Sequence, residues 1–473
     1  MIDGLKPYPA VKDSGAPWLG AVPRHWAVKR MKSAVTNVIE QVSDRESTDL
    51  YIALEHVESW TGRLRPSGPD VAFDSQVKRF RAGDVLFGKL RPYLAKVTRP
   101  SADGVCVGEF LVLRPRASET SAPYLEQLLR SKPIVDAVDS STFGAKMPRA
   151  DWSFVGSMAL PIPTPSEQAA IVCFLDHVDR RIRRYVLAKQ KLINLLEEQR
   201  QAIIHRAVTR GLDPSVRLKP SGAEWLGDVP EHWDVKPIGR VCPFISYGFT
   251  NPMPGADEGP YMLTANDIGD GRILYDMARH TTQASFDNAL TAKSRPVKGD
   301  VLVTKDGTLG RVAVSDGRLA CINQSVALLR PSRDQVLPSF LGLALRAPLY
   351  QERMVTDAGG TAIKHIYITR LAKMRMAFPG IGEQRRVVRS VEATVSTLDR
   401  GVFRARREID LVREYRARLI ADVVTGKLDV REEAARLPDE TDEPEPLEAI
   451  ETEGEIEEAE ADDGAEVAEE AYA

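Results

Sequence analysis

Residues 166–210, SEQAAIVCFLDHVDRRIRRYVLAKQKLINLLEEQRQAIIHRAVTR, form a stretch that contains neither proline nor glycine. Its apolar residues recur mostly at steps of four and three, the spacing of a helix that packs lengthwise on another helix. These residues are Ile171, Leu175, Val178, Ile182, Tyr185, Leu192, Leu196 and Ile203. At about 1.5 Å per residue, such a helix is roughly 60 Å long. Because that length exceeds the core of a small domain, the stretch predicts a helix that needs a partner.

A second stretch with the same spacing lies at residues 383–425, and it begins with a repeated dipeptide. Glu167-Gln168 returns 216 residues later as Glu383-Gln384. The alternative is two amphipathic helices buried separately, but matched positions in a repeat favour a pair of helices packed on each other. The residues that we expect to pack between them are Leu175, Ile182, Leu196, Val391, Leu398 and Val412.

The rest of the chain is duplicated too. The opening SGAPWLGAVPRHWAVK at residues 14–29 returns as SGAEWLGDVPEHWDVK at residues 221–236. GDVL at residues 83–86 returns at residues 299–302. Each half therefore predicts one globular domain followed by one long helix.

The predicted fold class is mixed α/β, with two globular domains joined by two long antiparallel coiled-coil helices in an internal pseudo-twofold repeat. Strands are expected at residues 84–88, 108–114, 300–305 and 324–330, and helices at 123–131 and 338–347. The predicted boundaries are domains at 1–165 and 213–381, long helices at 166–212 and 382–430, and an acidic, disordered tail at 431–473. Between the matched blocks, residues 38–78 and 244–295 share almost nothing. Two equal scaffolds with unlike inserts suit a protein that recognises two different things.

The formal net charge of −3 hides a basic protein. Residues 439–470 contain 17 of the 67 acidic residues, which leaves 50 against the 64 Lys and Arg of the whole chain. A basic folded part is expected for a protein with a polyanionic partner. No apolar run is long enough to span a bilayer, and the four separated cysteines form no CxxC pair. We therefore expect a cytoplasmic protein without a membrane partner, disulfide framework or structural zinc site.

The motifs argue against catalysis by this chain and favour nucleic-acid contact. It contains no GxxxxGK[ST] phosphate loop and no HExxH metal motif, so we expect no catalytic and no metal-binding residues. Basic and Gly-containing loops occur in matched pairs at residues 89–93 and 305–311, and at residues 142–149 and 359–365. Solvated turns are the alternative. The candidate DNA-binding residues are Lys89, Arg91, Tyr93, Lys146, Arg149, Lys305, Arg311, Lys364 and His365.

Taken together, these features resemble the specificity (S) subunits of type I restriction-modification systems. The resemblance rests on the doubled opening, on GDVL running into KLRPY at residues 89–93, and on PTPSEQ at residues 163–168 opening a long helix. It covers residues 5–430. The second helix opening, PGIGEQ at residues 379–384, departs from this pattern, and so does the acidic tail.

The resemblance implies a non-catalytic subunit whose two target recognition domains bind the halves of a split site in double-stranded DNA. The helices would act as the spacer. Two modification (M) subunits would bring S-adenosylmethionine and adenine methylation, and restriction (R) subunits would bring ATP, Mg and cleavage, so this chain would bind no cofactor. The alternatives are a stand-alone enzyme that modifies or cleaves DNA, and a coiled-coil interaction protein without a DNA function.

Overall fold

The computed structural model describes residues 5–42, 49–65, 76–144, 147–359 and 364–438. The chain divides into two compact units. Unit 1 comprises Met1–Lys189 and Arg407–Ala473, and unit 2 comprises Gln190–Arg406. Each unit combines small sheets and short helices with parts of two long helices, so the predicted mixed α/β class is confirmed.

Unit 1 contains two four-stranded sheets. Its strands are β1 (Val11–Asp13), β2 (Ala21–Pro23), β3 (Ala27–Arg30), β4 (Val35–Val38), β5 (Gln41–Val42), β6 (Leu50–Ile52), β7 (Val77–Phe80), β8 (Val85–Gly88), β9 (Val97–Thr98), β10 (Gly104–Cys106), β11 (Phe110–Pro115) and β12 (Ala159–Ile162). One sheet has the antiparallel order β4-β11-β8-β9, and the other has the order β5-β7-β10-β6. The helices are α1 (Met31–Ala34), α2 (Ala122–Leu129), α3 (Lys132–Asp139), α4 (Trp152–Ser157) and the long α5 (Pro165–Arg210), which continues into unit 2.

Unit 2 repeats this plan in part, with one four-stranded sheet and one three-stranded sheet. Its strands are β13 (Leu218–Pro220), β14 (Asp228–Pro230), β15 (Asp234–Pro237), β16 (Phe244–Tyr247), β17 (Gly255–Leu263), β18 (Arg279–Thr281), β19 (Val301–Thr304), β20 (Val312–Val314), β21 (Ala320–Ile322), β22 (Val326–Arg330) and β23 (Arg375–Phe378). Its helices are α6 (Ile238–Val241), α7 (Gln283–Ala289), α8 (Pro338–Leu345), α9 (Pro348–Thr356), α10 (Ile368–Lys373) and the long α11 (Ile381–Val424), which ends in unit 1. A last helix, α12 (Arg431–Arg436), belongs to unit 1.

The duplication extends to strand register. In unit 2 the antiparallel order β16-β22-β19-β20 repeats the order β4-β11-β8-β9 of unit 1. Leu113 pairs with Val85 in unit 1. The residues 216 positions later, Leu329 and Val301, pair in the same way in unit 2. The predicted internal repeat is therefore confirmed at the level of individual residue pairs.

Within each unit, the segments of α5 and α11 run antiparallel. Residue numbers rise along α5 as those of their partners fall along α11. The ion pairs between them are Asp179–Arg416 and Lys189–Glu408 in unit 1, and Glu197–Arg406 and Arg200–Asp399 in unit 2. In unit 2, a Cβ at Gly401 would lie only 3.2 Å from Leu196 Cδ1, so this glycine allows the two helices to approach closely.

Of the residues predicted for the apolar seam of α5, Ile171, Leu175 and Val178 are buried and Ile182 is partly buried, whereas several later positions differ by one residue. Tyr185 and Leu192 are 40 % and 41 % exposed. The residues buried in place of Tyr185, Leu192 and Ile203 are Val186, Ile193 and Ile204. A straight α-helix has 3.6 residues per turn and drifts away from a strict seven-residue repeat. An extra step of four, from Ile182 to Val186, corrects that drift.

The six residues predicted to pack between the helices differ in burial. Leu175 and Val391 are buried, in the cores of unit 1 and unit 2 respectively. The partly buried residues are Ile182, Leu196, Leu398 and Val412. Leu196 packs over Gly401 of α11, and the contacts of the other five across the helix pair stay a prediction.

One buried carboxylate fixes the start of α5 to unit 1. Glu167 Oε1 accepts a hydrogen bond from Trp26 Nε1 at 3.3 Å and lies 2.8 Å from His25 Nε2. Glu167 Oε2 accepts from Thr164 Oγ1 at 2.8 Å and from the Thr164 amide at 3.2 Å, which caps the first turn. The Glu167 side chain is only 4 % exposed. The hydrogen bonds to this carboxylate therefore fix where α5 begins.

Unit 2 uses the same arrangement at the start of α11. Glu383 accepts a hydrogen bond from Trp233 Nε1 at 3.2 Å, and His232 Nε2 lies 2.8 Å from its other oxygen. His25 and His232, which precede the two tryptophans, therefore both contact the glutamate at the start of a long helix.

A second matched interaction explains two other repeated motifs. Asp84 of GDVL receives two hydrogen bonds from Arg114, at 2.8 and 2.7 Å, and Asp300 receives the same pair from Arg330. Both aspartates are almost fully buried. A buried carboxylate needs a cation and hydrogen bonds to offset its lost hydration, so these repeated residues are framework.

The residues that follow α11 contact the opening of unit 1. The helix ends at Val424, short of the predicted segment end at residue 430, because Gly426 has a φ of +77°. A Cβ at Gly426 would lie 2.2 Å from Pro23 Cδ, so only glycine fits. The Asp429 amide then donates to the Lys6 carbonyl at 2.8 Å. Residues 439–473, most of the predicted tail, lie outside the described residues.

The shifted seam can be tested with neighbouring substitutions. We expect Ile193→Asp to lower the thermal unfolding midpoint by about 5–10 °C, because it places an unpaired carboxylate in a buried position. Leu192→Asp, on the exposed side, should lower the midpoint by less than about 2 °C. Equal effects of the two variants would contradict the observed seam. Circular dichroism melts of the full chain provide the measurement.

The Glu167 cluster predicts a dependence of stability on pH. Burial acts to raise the pKa of Glu167, but hydrogen bonds from His25, Thr164 and Trp26 outweigh burial and hold this pKa below its usual value. A lowered folded-state pKa stabilises the fold above the unfolded-state pKa, and the gain is lost as pH falls through the folded value.

Glu167→Gln should therefore lower the melting midpoint at pH 7, through a loss of about 1–3 kcal/mol. The gap to the unsubstituted chain should narrow as pH falls through the lowered pKa of Glu167, because the native carboxylate then also becomes protonated. The exposed Glu198→Gln change on the same helix is the control. A gap that stays constant from pH 7 to pH 3 would show that the charge of Glu167 is not what stabilises the helix start.

Candidate nucleic-acid interface

The two basic loops predicted in unit 1 lie side by side. The Arg91 amide donates to the Pro148 carbonyl at 2.8 Å, and the Ala150 amide donates to the Lys89 carbonyl at 2.8 Å. Arg91 itself has a φ of +50°, which is uncommon for a residue with a side chain. These bonds bring residues 89–91, which follow β8, against residues 148–150 of the loop after α3.

The predicted side chains of this loop pair are mostly accessible. Arg91, Tyr93 and Arg149 are exposed, whereas Lys89 is partly buried. The Arg149 guanidinium contacts Glu109 at 3.2 Å, which offsets part of its charge. Lys146 lies outside the described residues. The direct role of these residues in DNA contact stays a prediction.

Positive charge also lies beside these loops. Lys78 is partly buried and donates to the Phe110 carbonyl at 2.7 Å. Burial, followed by the charge of Lys89, lowers the pKa of Lys78. The cationic form of Lys78 is thus partly disfavoured, as expected where basic groups are crowded together.

Unit 2 brings its two predicted loops together in the same way. The Ile366 amide donates to the Lys305 carbonyl at 3.0 Å, which repeats the Ala150–Lys89 bond 216 residues later. An isolated bridge joins Gly359 to His365, as one joins Phe143 to Arg149 in unit 1. The two units therefore share the backbone of the loop pair and differ in its side chains.

The side chains of the unit 2 loops form a local ionic cluster. Lys305 is 5 % exposed, and its Nζ contacts Asp306 Oδ2 at 2.9 Å and His365 Nε2 at 3.2 Å. His365 Nδ1 also contacts Asp306. Because its charge is buried and paired, Lys305 is poorly placed to contact a phosphate. Arg311 and Lys364, by contrast, are exposed.

Large apolar side chains at both loop pairs were missed from the sequence. Phe143 is 80 % exposed, Met147 is 50 % exposed, and Tyr367 in unit 2 is 44 % exposed. Aromatic and Met residues are normally assigned to a core. The available signal was their position within Gly-containing loops next to basic residues.

A cleft of about 570 Å³ opens in the variable part of unit 2. Its lining includes Tyr247, Asn251 and Met253, together with Thr291 and Lys293. Asn251 and Met253 belong to the NPMP sequence of residues 251–254. The cleft combines polar groups with one exposed tyrosine and lies in the segment that differs between the halves.

The described residues contain no group of three or more His, Cys, Asp or Glu side chains arranged to hold a metal ion. Among them, no helix is both long enough and apolar enough to cross a bilayer.

Comparisons with known proteins agree on one family. Residues 230–400 match the model of the type I restriction modification DNA specificity domain. The EcoBI type I restriction enzyme specificity subunit of Escherichia coli is 24 % identical over 303 residues, which cover 62 % of this chain and 63 % of that protein. The putative MjaX specificity subunit of Methanocaldococcus jannaschii is 20 % identical over 433 residues, covering 87 % of this chain and 96 % of that protein.

A solved structure supports the fold. A chain from a structure of the type I R-M system, solved to explain complex assembly and conformational transition, has a TM-score of 0.67. It is 19 % identical, and the match covers 86 % of this chain and 99 % of that chain. The doubled framework and these matches make the chain similar to the specificity subunits of type I restriction-modification systems.

Substitutions of Arg311 and Lys305 separate an effect on DNA binding from an effect on the stability of unit 2. We expect Arg311→Ala to weaken binding of duplex DNA and to reduce the slope of log affinity against log salt by about 1, because one phosphate contact is lost. Lys305→Met should instead lower the melting midpoint, because it removes the buried cation that contacts both Asp306 and His365. Fluorescence anisotropy at several salt concentrations, beside thermal melts, measures both. A reduced salt slope with unchanged stability for Lys305→Met would contradict this assignment.

Proposed function

We propose that this chain recognises a bipartite site in double-stranded DNA, with unit 1 contacting one half-site and unit 2 the other. The observation that carries the proposal is the matched loop pair. Each unit presents two loops joined by equivalent backbone hydrogen bonds, while the side chains on them differ. An equal backbone with unequal side chains provides the same docking on DNA and a different base preference.

Electrostatics support a nucleic-acid partner. Arg91 and Arg149 are exposed on the unit 1 loops, and Arg311 and Lys364 on those of unit 2. Arginine and lysine contact phosphates, and they also bind guanine edges in the major groove. Each good bidentate base contact contributes about 1–3 kcal/mol of discrimination. The affinity should therefore fall steeply with salt, while the preference between sequences should persist.

The chemistry of the system belongs to partner subunits in this proposal. Two modification subunits dock on the chain and bring S-adenosylmethionine and adenine methylation. Restriction subunits bring ATP and Mg, and they cleave DNA. The chain itself is a non-catalytic, cytoplasmic subunit that binds no cofactor. The repeated framework supports two copies of one partner, because equivalent surfaces on the two halves accept equivalent contacts.

Mapping modified adenines in DNA from cells that carry this system would test the proposal. The expected result is methylation within one split sequence, two short conserved parts separated by unspecified bases. Replacing residues 38–78 with the same segment of another family member should change one part only. The matched exchange of residues 244–295 should change the other part only.

Three outcomes would oppose the proposal. A continuous rather than split sequence would contradict the two-domain assignment. An unchanged sequence after both exchanges would show that the variable segments do not select the target. Methyl transfer by the purified chain alone, with labelled methyl donor and DNA, would make it an enzyme in its own right.

A further inference from the structure

Phe143 in unit 1 is exposed to an unusual degree for a phenylalanine. Its side chain is 80 % exposed, although the helix just before it, α3, has a buried apolar face. Exposing an aromatic ring to water opposes the hydrophobic effect, and exposed apolar groups on a binding surface commonly mark a contact. The surrounding residues indicate what that contact is.

The backbone that carries Phe143 is held in place. The Thr142 amide and hydroxyl both donate to the Asp139 carbonyl at the end of α3, at 3.1 and 2.8 Å. The Phe143 and Arg149 amides and carbonyls bond each other, at 3.5 and 3.3 Å. These hydrogen bonds place Phe143 beside Arg149, whose neighbours Pro148 and Ala150 bond to residues 89–91.

The matched position in unit 2 has a different design. Position 359 is glycine, and a Cβ there would lie 2.7 Å from Tyr367 Cε2. The Tyr367 ring covers that place and is itself packed, with its centroid 5.0 Å from the His365 ring and 5.2 Å from the Arg370 guanidinium carbon. The Tyr367 ring of unit 2 thus packs against residues of its own unit, whereas the Phe143 ring of unit 1 is exposed to solvent.

We propose that Phe143 inserts between two adjacent base pairs of the half-site contacted by unit 1 and unstacks them. Apolar side chains flanked by arginine or lysine act as such wedges in other DNA-binding proteins, where they kink the duplex. Pyrimidine–purine steps unstack most readily, so the wedge selects for such a step without a hydrogen bond to either base. This inference rests on the proposed DNA recognition and adds a specificity determinant to it.

The test uses the full chain, in the complex in which it purifies, and duplexes that carry its mapped site. The probe is 2-aminopurine, which replaces single adenines in turn and becomes brighter when it is unstacked. With the unsubstituted chain, we expect a rise in fluorescence at one step of one half-site. Phe143→Ala should abolish that rise and weaken binding at least tenfold, which corresponds to about 1.4 kcal/mol, with an unchanged salt slope.

Two further variants make the result specific. Phe143→Leu keeps an apolar wedge and should retain most of the fluorescence rise. Phe403→Ala makes the same chemical change at a residue of α11 that is 72 % exposed, and it should leave the fluorescence rise unchanged. Because Phe143 is exposed, Phe143→Ala should melt at the same temperature as the unsubstituted chain, which separates lost binding from lost folding.

The failures of the two proposals are distinguishable. If the unsubstituted chain shows no salt-sensitive binding to the duplex, DNA recognition itself is wrong. If it binds but no 2-aminopurine position brightens, or if Phe143→Ala binds and brightens the probe like the unsubstituted chain, only the wedge is wrong. Equal loss in Phe143→Ala and Phe403→Ala would also overturn the wedge.

Discussion

The fold depends on one carboxylate at the start of each long helix. Glu167 and Glu383 each bind the indole of a fully buried tryptophan and the imidazole that precedes it. Burying a carboxylate is costly unless donors surround it, so the cluster forms only when helix start and domain opening meet. The direction in which each long helix leaves its domain is set by this contact.

The framework could be predicted from the sequence because its contacts join residues that are repeated. The Trp-containing opening, the aspartate of GDVL and the Glu-Gln at the helix start all recur, and each pairs with another recurring residue. The buried positions of α5 could be predicted as far as Ile182 and only in part after it. Beyond it, apolar residues are adjacent in Leu192-Ile193 and Ile203-Ile204, and a repeating pattern does not say which of two neighbours is buried.

The candidate site was predictable in position and less so in chemistry. Matched loops in a duplicated chain must occupy matched places, so their pairing follows from the repeat. Whether a lysine is available depends on its neighbours in space. Lys305 has Asp306 next to it in sequence, but His365 joins it only after the chain folds. The exposure of Phe143 likewise depends on which distant residues pack near it, and the local sequence pattern does not predict those residues.

The bond between Asp429 and Lys6 has a consequence for the order of the halves along the chain. The segment after α11 bonds to Lys6, at the start of unit 1. The segment after α5 leads in the same way into β13, at the start of the repeated opening in unit 2. A circularly permuted protein, cut between residues 211 and 217 and joined from residue 430 to residue 5, would keep every one of the framework contacts described above. The framework contacts therefore do not depend on which of the two units comes first along the chain.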